Sequence, residues 1–282
     1  MAAPLERKAS PHELSSCQTA GLGDLAEWLK NGTLKGPGMR HPGGQNICGA
    51  AIGVLCLESY FPKPPGHIKN PSALPFTLLY ETIPGITVPK LLDHPSAEMI
   101  EPFILAAQRL EREGVRAITG SCGFLALFQK ELSEAVSIPV FSSSLIQIPM
   151  IYHMTGAKSP VGVLTAKASA LTPAHLAGVG ADHVPIEVMG LEDTTEFRNV
   201  ILENKRTDMD LSLVEAEVVN AALSLKAKAP DIRSMVLECT DLPPYAAEIQ
   251  NAVRLPVFDI ITLSEMAYRA TARTPYTGAM PW

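Results

Sequence analysis

The sequence predicts an α/β protein made of two similar lobes, each with a parallel sheet, facing a central cleft. Three observations lead there. Continuous apolar runs, as expected of strands buried on both faces, alternate with segments of helical period. That order of elements occurs twice along the 282 residues. The two copies also keep register: Gly53-Val54-Leu55 is answered by Gly162-Val163-Leu164, and Cys122 and Cys239 are each followed 17 positions later by a Pro-Val-Phe, beginning at Pro139 and Pro256.

Residues 1–45 read as an N-terminal extension, with one short helix in GLGDLAEWLKNG and a Gly/Pro-punctuated stretch after it. The G-x-G in TAGLGD has no strand before it and lacks the rest of a dinucleotide motif. The first lobe is expected over 46–147. ICGAAIGVLCLE and FTLLYETIP are its first two strands. AEMIEPFILAAQRLEREG is a helix stopped by Gly114, VRAITGSC a strand ending in a turn, GFLALFQKELSEAV the next helix and IPVFSSS the next strand. The second lobe, 148–257, repeats the plan with SPVGVLTAKAS, the helix VEAEVVNAALSLKAKA, the strand RSMVLECT and the helix PYAAEIQNAV. LPVFDIIT is read as the closing strand, with 258–282 packed back on the first lobe. Each lobe is thus Rossmann-like.

Composition narrows the function. Hydrophobic residues make up 46% and charged residues 18%, enough for a sizeable core. The net charge of −6 and the lack of any Lys/Arg run speak against a nucleic-acid partner. No apolar run reaches the roughly 18 residues of a membrane span. MAAPLERKASPHEL has no apolar stretch beside its charges, so no secretory signal is expected and the reducing cytoplasm is the expected compartment. The five cysteines are odd in number and show no C-x-x-C spacing, which argues against a disulfide framework or a zinc site. Asp93-His94 and Asp182-His183 are adjacent pairs rather than metal spacings, and no metal or cofactor is expected.

The repeat places Cys122 and Cys239 at the carboxyl ends of equivalent strands, where parallel α/β sheets hold their ligands. Inert core thiols have no reason to sit at symmetry-equivalent turns; Cys17, Cys48 and Cys56 have no such partners and read as inert. The free N–H groups of the turns Gly120-Ser121-Cys122-Gly123 and Cys239-Thr240-Asp241 suit a carboxylate and should favour thiolate over thiol. A small carboxylate held between them would present its neighbouring carbon to both sulfurs, one removing a proton and the other delivering one. Ser121, Thr240, Thr165 and the run Ser142-Ser143-Ser144 are candidate hydroxyl donors to the developing enolate. Two α/β lobes around a cleft also describe a non-catalytic small-acid binding protein, and a reversible Cys122–Cys239 disulfide a redox sensor; homo-oligomerisation stays open.

TGSCGFLALFQ and LECTDLPPY, on the duplicated plan, resemble the aspartate/glutamate racemase superfamily, which includes hydantoin racemases, maleate isomerases, arylmalonate decarboxylases and algal dimethylsulfoniopropionate lyases. The resemblance runs from about Ile47 to Ala267. It implies cofactor-independent racemase or isomerase chemistry, with Cys122 and Cys239 as the catalytic pair and Thr240 as the threonine that commonly follows the second cysteine. Gly123 stands where amino-acid racemases often have Asn. LCLESYFPKPPGHIKNP, the CGF that places Phe124, and LECT-x-LPPY are similar to the algal lyases, which makes elimination of a β leaving group the alternative outcome. Those lyases carry an acidic residue before the first cysteine, whereas this chain has Ser121. Glu58 falls where the family often has a substrate-facing polar residue, and His67 lies in the same loop region. The substrate-binding set implied is therefore Glu58, Ser121, Gly123, Phe124, Ser143, Ser144, Thr165 and Thr240.

Overall fold

The computed structural model describes residues 44–280 with the exception of His94. The expected short helix near the N-terminus, and Cys17, lie outside them. The first sheet contains β1 (Ile52–Glu58), β2 (Leu78–Thr87), β3 (Ala117–Gly120) and β4 (Val140–Phe141) in the order β2-β1-β3-β4. The second contains β5 (Val161–Thr165), β6 (Ile186–Gly190), β7 (Met235–Leu237) and β8 (Val257–Phe258) in the order β6-β5-β7-β8. All six pairings are parallel, so both sheets send their strand ends the same way as their crossover helices require.

The helices are α1 (Val88–Asp93), α2 (Ile100–Arg112), α3 (Gln129–Ala135), α4 (Ile148–Met154), α5 (Pro173–Gly178), α6 (Leu211–Lys228), α7 (Ala246–Val253) and α8 (Ile260–Thr271). In α2 the residues Phe103, Ala106, Ala107 and Leu110 form one buried stripe at helical spacing. In α6 the stripe is Val214, Val218, Ala222 and Leu225, and Asp210 caps the start by accepting from the amides of Ser212 and Leu213.

The repeat read from the sequence has a packing cause. A Cβ on Gly53 would come within 2.9 Å of Leu110 on α2, and one on Gly162 within 3.0 Å of Ile232. Glycine in the central strand of each sheet lets an apolar side chain of the covering layer sit close to the backbone. The leucines of the two triplets matter as well. Leu55 accepts from the Ser121 amide at 2.9 Å and Leu164 from the Glu238 amide at 2.8 Å, which carries the ladder one residue past β3 and β7 to the edge of each cysteine turn. The proline carbonyls of the two Pro-Val-Phe segments accept from Ile118 and Met235, each at 2.9 Å.

Three expectations need correction. LPVFDIIT is not one strand: β8 stops at Phe258, and Asp259 caps α8 by accepting from the Thr262 amide at 2.8 Å. The helices after the cysteines begin as 3₁₀ turns, Gly123–Phe128 and Pro243–Tyr245, before α3 and α7 take over. The second sheet also has a full partner for β2, the strand β6, whose half-buried residues carry no continuous apolar run. Helix α8 lies on the first sheet, where Ile260 and Leu263 pack with Ile52, Val54 and Phe141, and the Tyr268 ring stacks on Phe76 at 3.8 Å. Among the described residues no helix is long and apolar enough to cross a membrane.

Candidate active site

The two cysteine turns meet. Thr240, immediately after Cys239, donates its hydroxyl to the carbonyl of Ser121, immediately before Cys122, at 2.6 Å. Ser144 donates across the same seam to the carbonyl of Leu237 at 2.6 Å. Each turn is closed in the same way, Leu125 donating to the Cys122 carbonyl and Leu242 to that of Cys239. Each sulfur also receives the amide two residues on, from Phe124 and Asp241 respectively. Both cysteines keep 7% of their surface and both are free thiols.

The surroundings are polar, and their charge is lopsided. Glu238 stands where the first turn has Ser121, and Asp241 where it has Phe124. Glu238 is fully buried. Its Oε2 accepts from Thr165 at 2.7 Å, while its Oε1 has no partner among the described residues. A Cβ on Gly123 would lie 2.1 Å from both that Oε1 and the Glu238 carbonyl oxygen, so Gly123 is the residue type that lets the second lobe's carboxyl reach the Cys122 turn. Burial pushes the Glu238 carboxyl up to about 7 against the pull of its hydrogen bonds.

The expected depression of the thiols is not found. Burial, then the charges of Glu238 and Asp241, hold Cys122 well above the usual thiol range, and the Phe124 amide only offsets part of that. Burial, then Asp241 and Glu238, do the same to Cys239. Two amides cannot outweigh desolvation plus two carboxylates.

Asp241 makes two side-chain bonds. Its Oδ2 accepts from the Cys239 thiol at 3.4 Å and its Oδ1 pairs with His67 Nε2 at 2.8 Å. Burial would raise this carboxyl, but the His67 bond and the positive charge of Lys63 outweigh it, so Asp241 lies below the usual carboxylate range. Lys63 sits over the Phe61 ring at 3.3 Å and is lowered to about 8, chiefly by burial.

The structure thus gathers Cys122, Cys239, Ser121, Gly123, Phe124, Thr165, Ser144 and Thr240 at one seam. The hydroxyl protons of Thr165, Thr240 and Ser144 are donated to protein acceptors, and Ser121 Oγ accepts from the Leu57 amide. Ser143 Oγ accepts from the Leu145 amide, capping a 3₁₀ turn. Glu58 is engaged with the Gly85 amide and the Tyr60 hydroxyl. Cys56 is buried and raised to about 11, chiefly by desolvation, in keeping with an inert thiol. Asp182 and His183 are exposed. Glu238 and Asp241, the two carboxyls beside the thiols, escaped the reading of the sequence although both stand in the LECTDLPPY motif. No spacing signal distinguishes a buried, half-satisfied carboxyl from a solvated one.

Residues 96–264, more than half the chain, match the family described as Asp/Glu/Hydantoin racemase. The chain belongs to that family. The chain is 31% identical over 270 residues to a dimethylsulfoniopropionate lyase of Durusdinium sp. clade D, covering 93% of this chain and 87% of that protein. It is also 31% identical over 242 residues to dimethylsulfoniopropionate lyase 3 of Emiliania huxleyi, covering 82% of this chain and 62% of that one. Unliganded arylmalonate decarboxylase superimposes with a TM-score of 0.53 at 15% identity, covering 80% of this chain and 94% of the other. Glutamate racemase from Bacillus anthracis does so with a TM-score of 0.50 at 17% identity, covering 79% and 83%. At these identities the structural likeness is one of fold. A member of this Asp/Glu/hydantoin racemase family is an enzyme, of racemase or lyase type.

Proposed function

We propose that this enzyme, without a cofactor, transfers the proton on the carbon next to the carboxylate of a small acid, with Cys122 and Cys239 as the paired base and acid. The observation that carries the reading is the Thr240–Ser121 hydrogen bond, which joins the two cysteine turns directly. The turn amide of Gly123 supplies a charge-free donor for a carboxylate or enolate. Racemisation or isomerisation is the net result when the carbon carries no leaving group. Replacing either thiol should remove most of the general acid–base contribution, so Cys122→Ser and Cys239→Ser are each expected to lower turnover about 10²- to 10⁴-fold. The measurement is α-deuterium incorporation into aspartate, glutamate, hydantoins and dimethylsulfoniopropionate in heavy water. Wild-type exchange from both serine variants would sink the two-thiol reading.

A second outcome on the same site is elimination. It is favoured by the 31% identity to a protein named dimethylsulfoniopropionate lyase and by the two carboxyls beside Cys239, which suit a cationic leaving group. Release of acrylate from dimethylsulfoniopropionate distinguishes it from racemisation.

A further inference from the structure

Four groups form a hydrogen-bonded line from the first lobe to the second thiol. The Lys69 amide donates to His67 Nδ1 at 2.9 Å, which leaves the ring proton on Nε2. That N–H donates to Asp241 Oδ1 at 2.8 Å, and Asp241 Oδ2 accepts from Cys239 Sγ at 3.4 Å. His67 is 2% exposed and comes from the loop between β1 and β2, 174 positions away from Asp241. The loop is seated on the second lobe: at Gly66, with φ +93°, an added Cβ would lie 3.0 Å from the Pro244 backbone. The first turn has no equivalent, since Phe124 stands where Asp241 would be.

We propose that His67 is a positioning residue that sets apart the roles of the two thiols: it fixes the Asp241 carboxylate against the Cys239 S–H, so that Cys239 is held as the proton donor and Cys122 is left to act as the base. The assignment of roles rests on the two-thiol reading above. A carboxylate that both accepts the thiol proton and carries a negative charge beside the sulfur opposes thiolate formation. The His67 N–H keeps that carboxylate ionised and aimed. The other charged or titratable groups acting on Asp241 and Cys239 are Lys63 and Lys69 on the same loop, and Glu238, Cys122 and Tyr245. None of them is a second donor to Asp241 in this structure.

The test reads the thiols without any substrate. Iodoacetamide labelling of Cys122 and Cys239 is followed by peptide mass spectrometry across pH, and the midpoint of each profile is measured. Better access would raise a labelling plateau, whereas the midpoint reports ionisation. In His67→Leu the Cys239 midpoint should fall by about one pH unit or more, while that of Cys122, which Asp241 raises less than Glu238 does, falls less. His67→Gln, whose amide can still donate to Asp241, should hold the wild-type midpoint. Asp241→Asn keeps an oxygen for His67 and so keeps the loop seated, but it removes the charge; it should lower the Cys239 midpoint as well. Labelling of Cys239 that appears in both His67→Leu and Asp241→Asn, climbs with pH to a midpoint, and is absent from the wild type and from His67→Gln counts as the same downward shift, whereas pH-independent labelling reports access and overturns the proposal. An unchanged midpoint in these two variants, or absence of Cys239 labelling in every protein, overturns the proposal. Because no turnover is involved, this failure is separate from that of the serine variants.

Discussion

Glu238 is a carboxyl held where its charge is poorly satisfied: one oxygen has the Thr165 hydroxyl, the other has no partner among the described residues, and the side chain is fully buried. The consequence is a definite pH dependence. An acid raised in the folded state from 4.5 to about 7 binds a proton that the unfolded chain has already released. Its contribution to stability is therefore complete below about 4.5 and is lost as pH rises through about 7. Glu238→Gln keeps an acceptor for Thr165 and removes the titration. Between pH 5 and pH 8 the stability difference should move in the variant's favour by up to about 3 kcal/mol. Denaturant unfolding of both proteins at the two pH values checks this, and a difference that does not vary with pH contradicts it. At this scale the sequence was legible for the two thiols, because a repeat displays equivalent positions. It placed His67 in the loop near Glu58 but not its partner, 174 positions away, and it was silent on Glu238, whose importance comes from burial.

Among elements, the strands that announce themselves are those with both faces covered: β1 and β5 are buried almost from end to end and read as apolar runs. Strand β6 lies at the edge of its sheet, is half-buried throughout, and gave no such signal. The end of β8 was misread because Asp259-Ile260-Ile261-Thr262 contains β-branched residues that suit a strand. The deciding feature is the reciprocal cap, in which Asp259 Oδ1 takes the Thr262 amide and Thr262 Oγ1 takes the Asp259 amide. Asp259→Ala should destabilise the protein by about 1 kcal/mol, the usual size of a lost N-cap. A change in thermal midpoint is the readout, and an unchanged midpoint would show that the cap is not what ends β8.

At the scale of the whole molecule, the sequence displayed two lobes but not that they share one interior. A single apolar cluster contains Leu55, Phe103 and Leu110 from the first lobe together with Leu164, Phe197 and Leu237 from the second. Polar ties cross the seam as well: Thr240 to Ser121, Ser144 to Leu237, His67 to Asp241, and Lys167 to Asp93. Exposing one lobe alone would expose much of the other's core. Residues 45–280 should therefore unfold in one cooperative step, with near- and far-ultraviolet circular dichroism coincident through the transition. Two resolved steps would show that the lobes are energetically independent.

The high proton affinity of the two thiols also bears on how the protein ages. Peroxide and other oxidants attack sulfur as the thiolate, and most readily where it is exposed. Burial and the neighbouring carboxylates bias Cys122 and Cys239 toward the protonated thiol, and each is only 7% exposed. The same desolvation and carboxylate charge that make their protons hard to remove should slow oxidation of both sulfurs, and peroxide treatment of the ligand-free protein is expected to leave Cys122 and Cys239 as thiols.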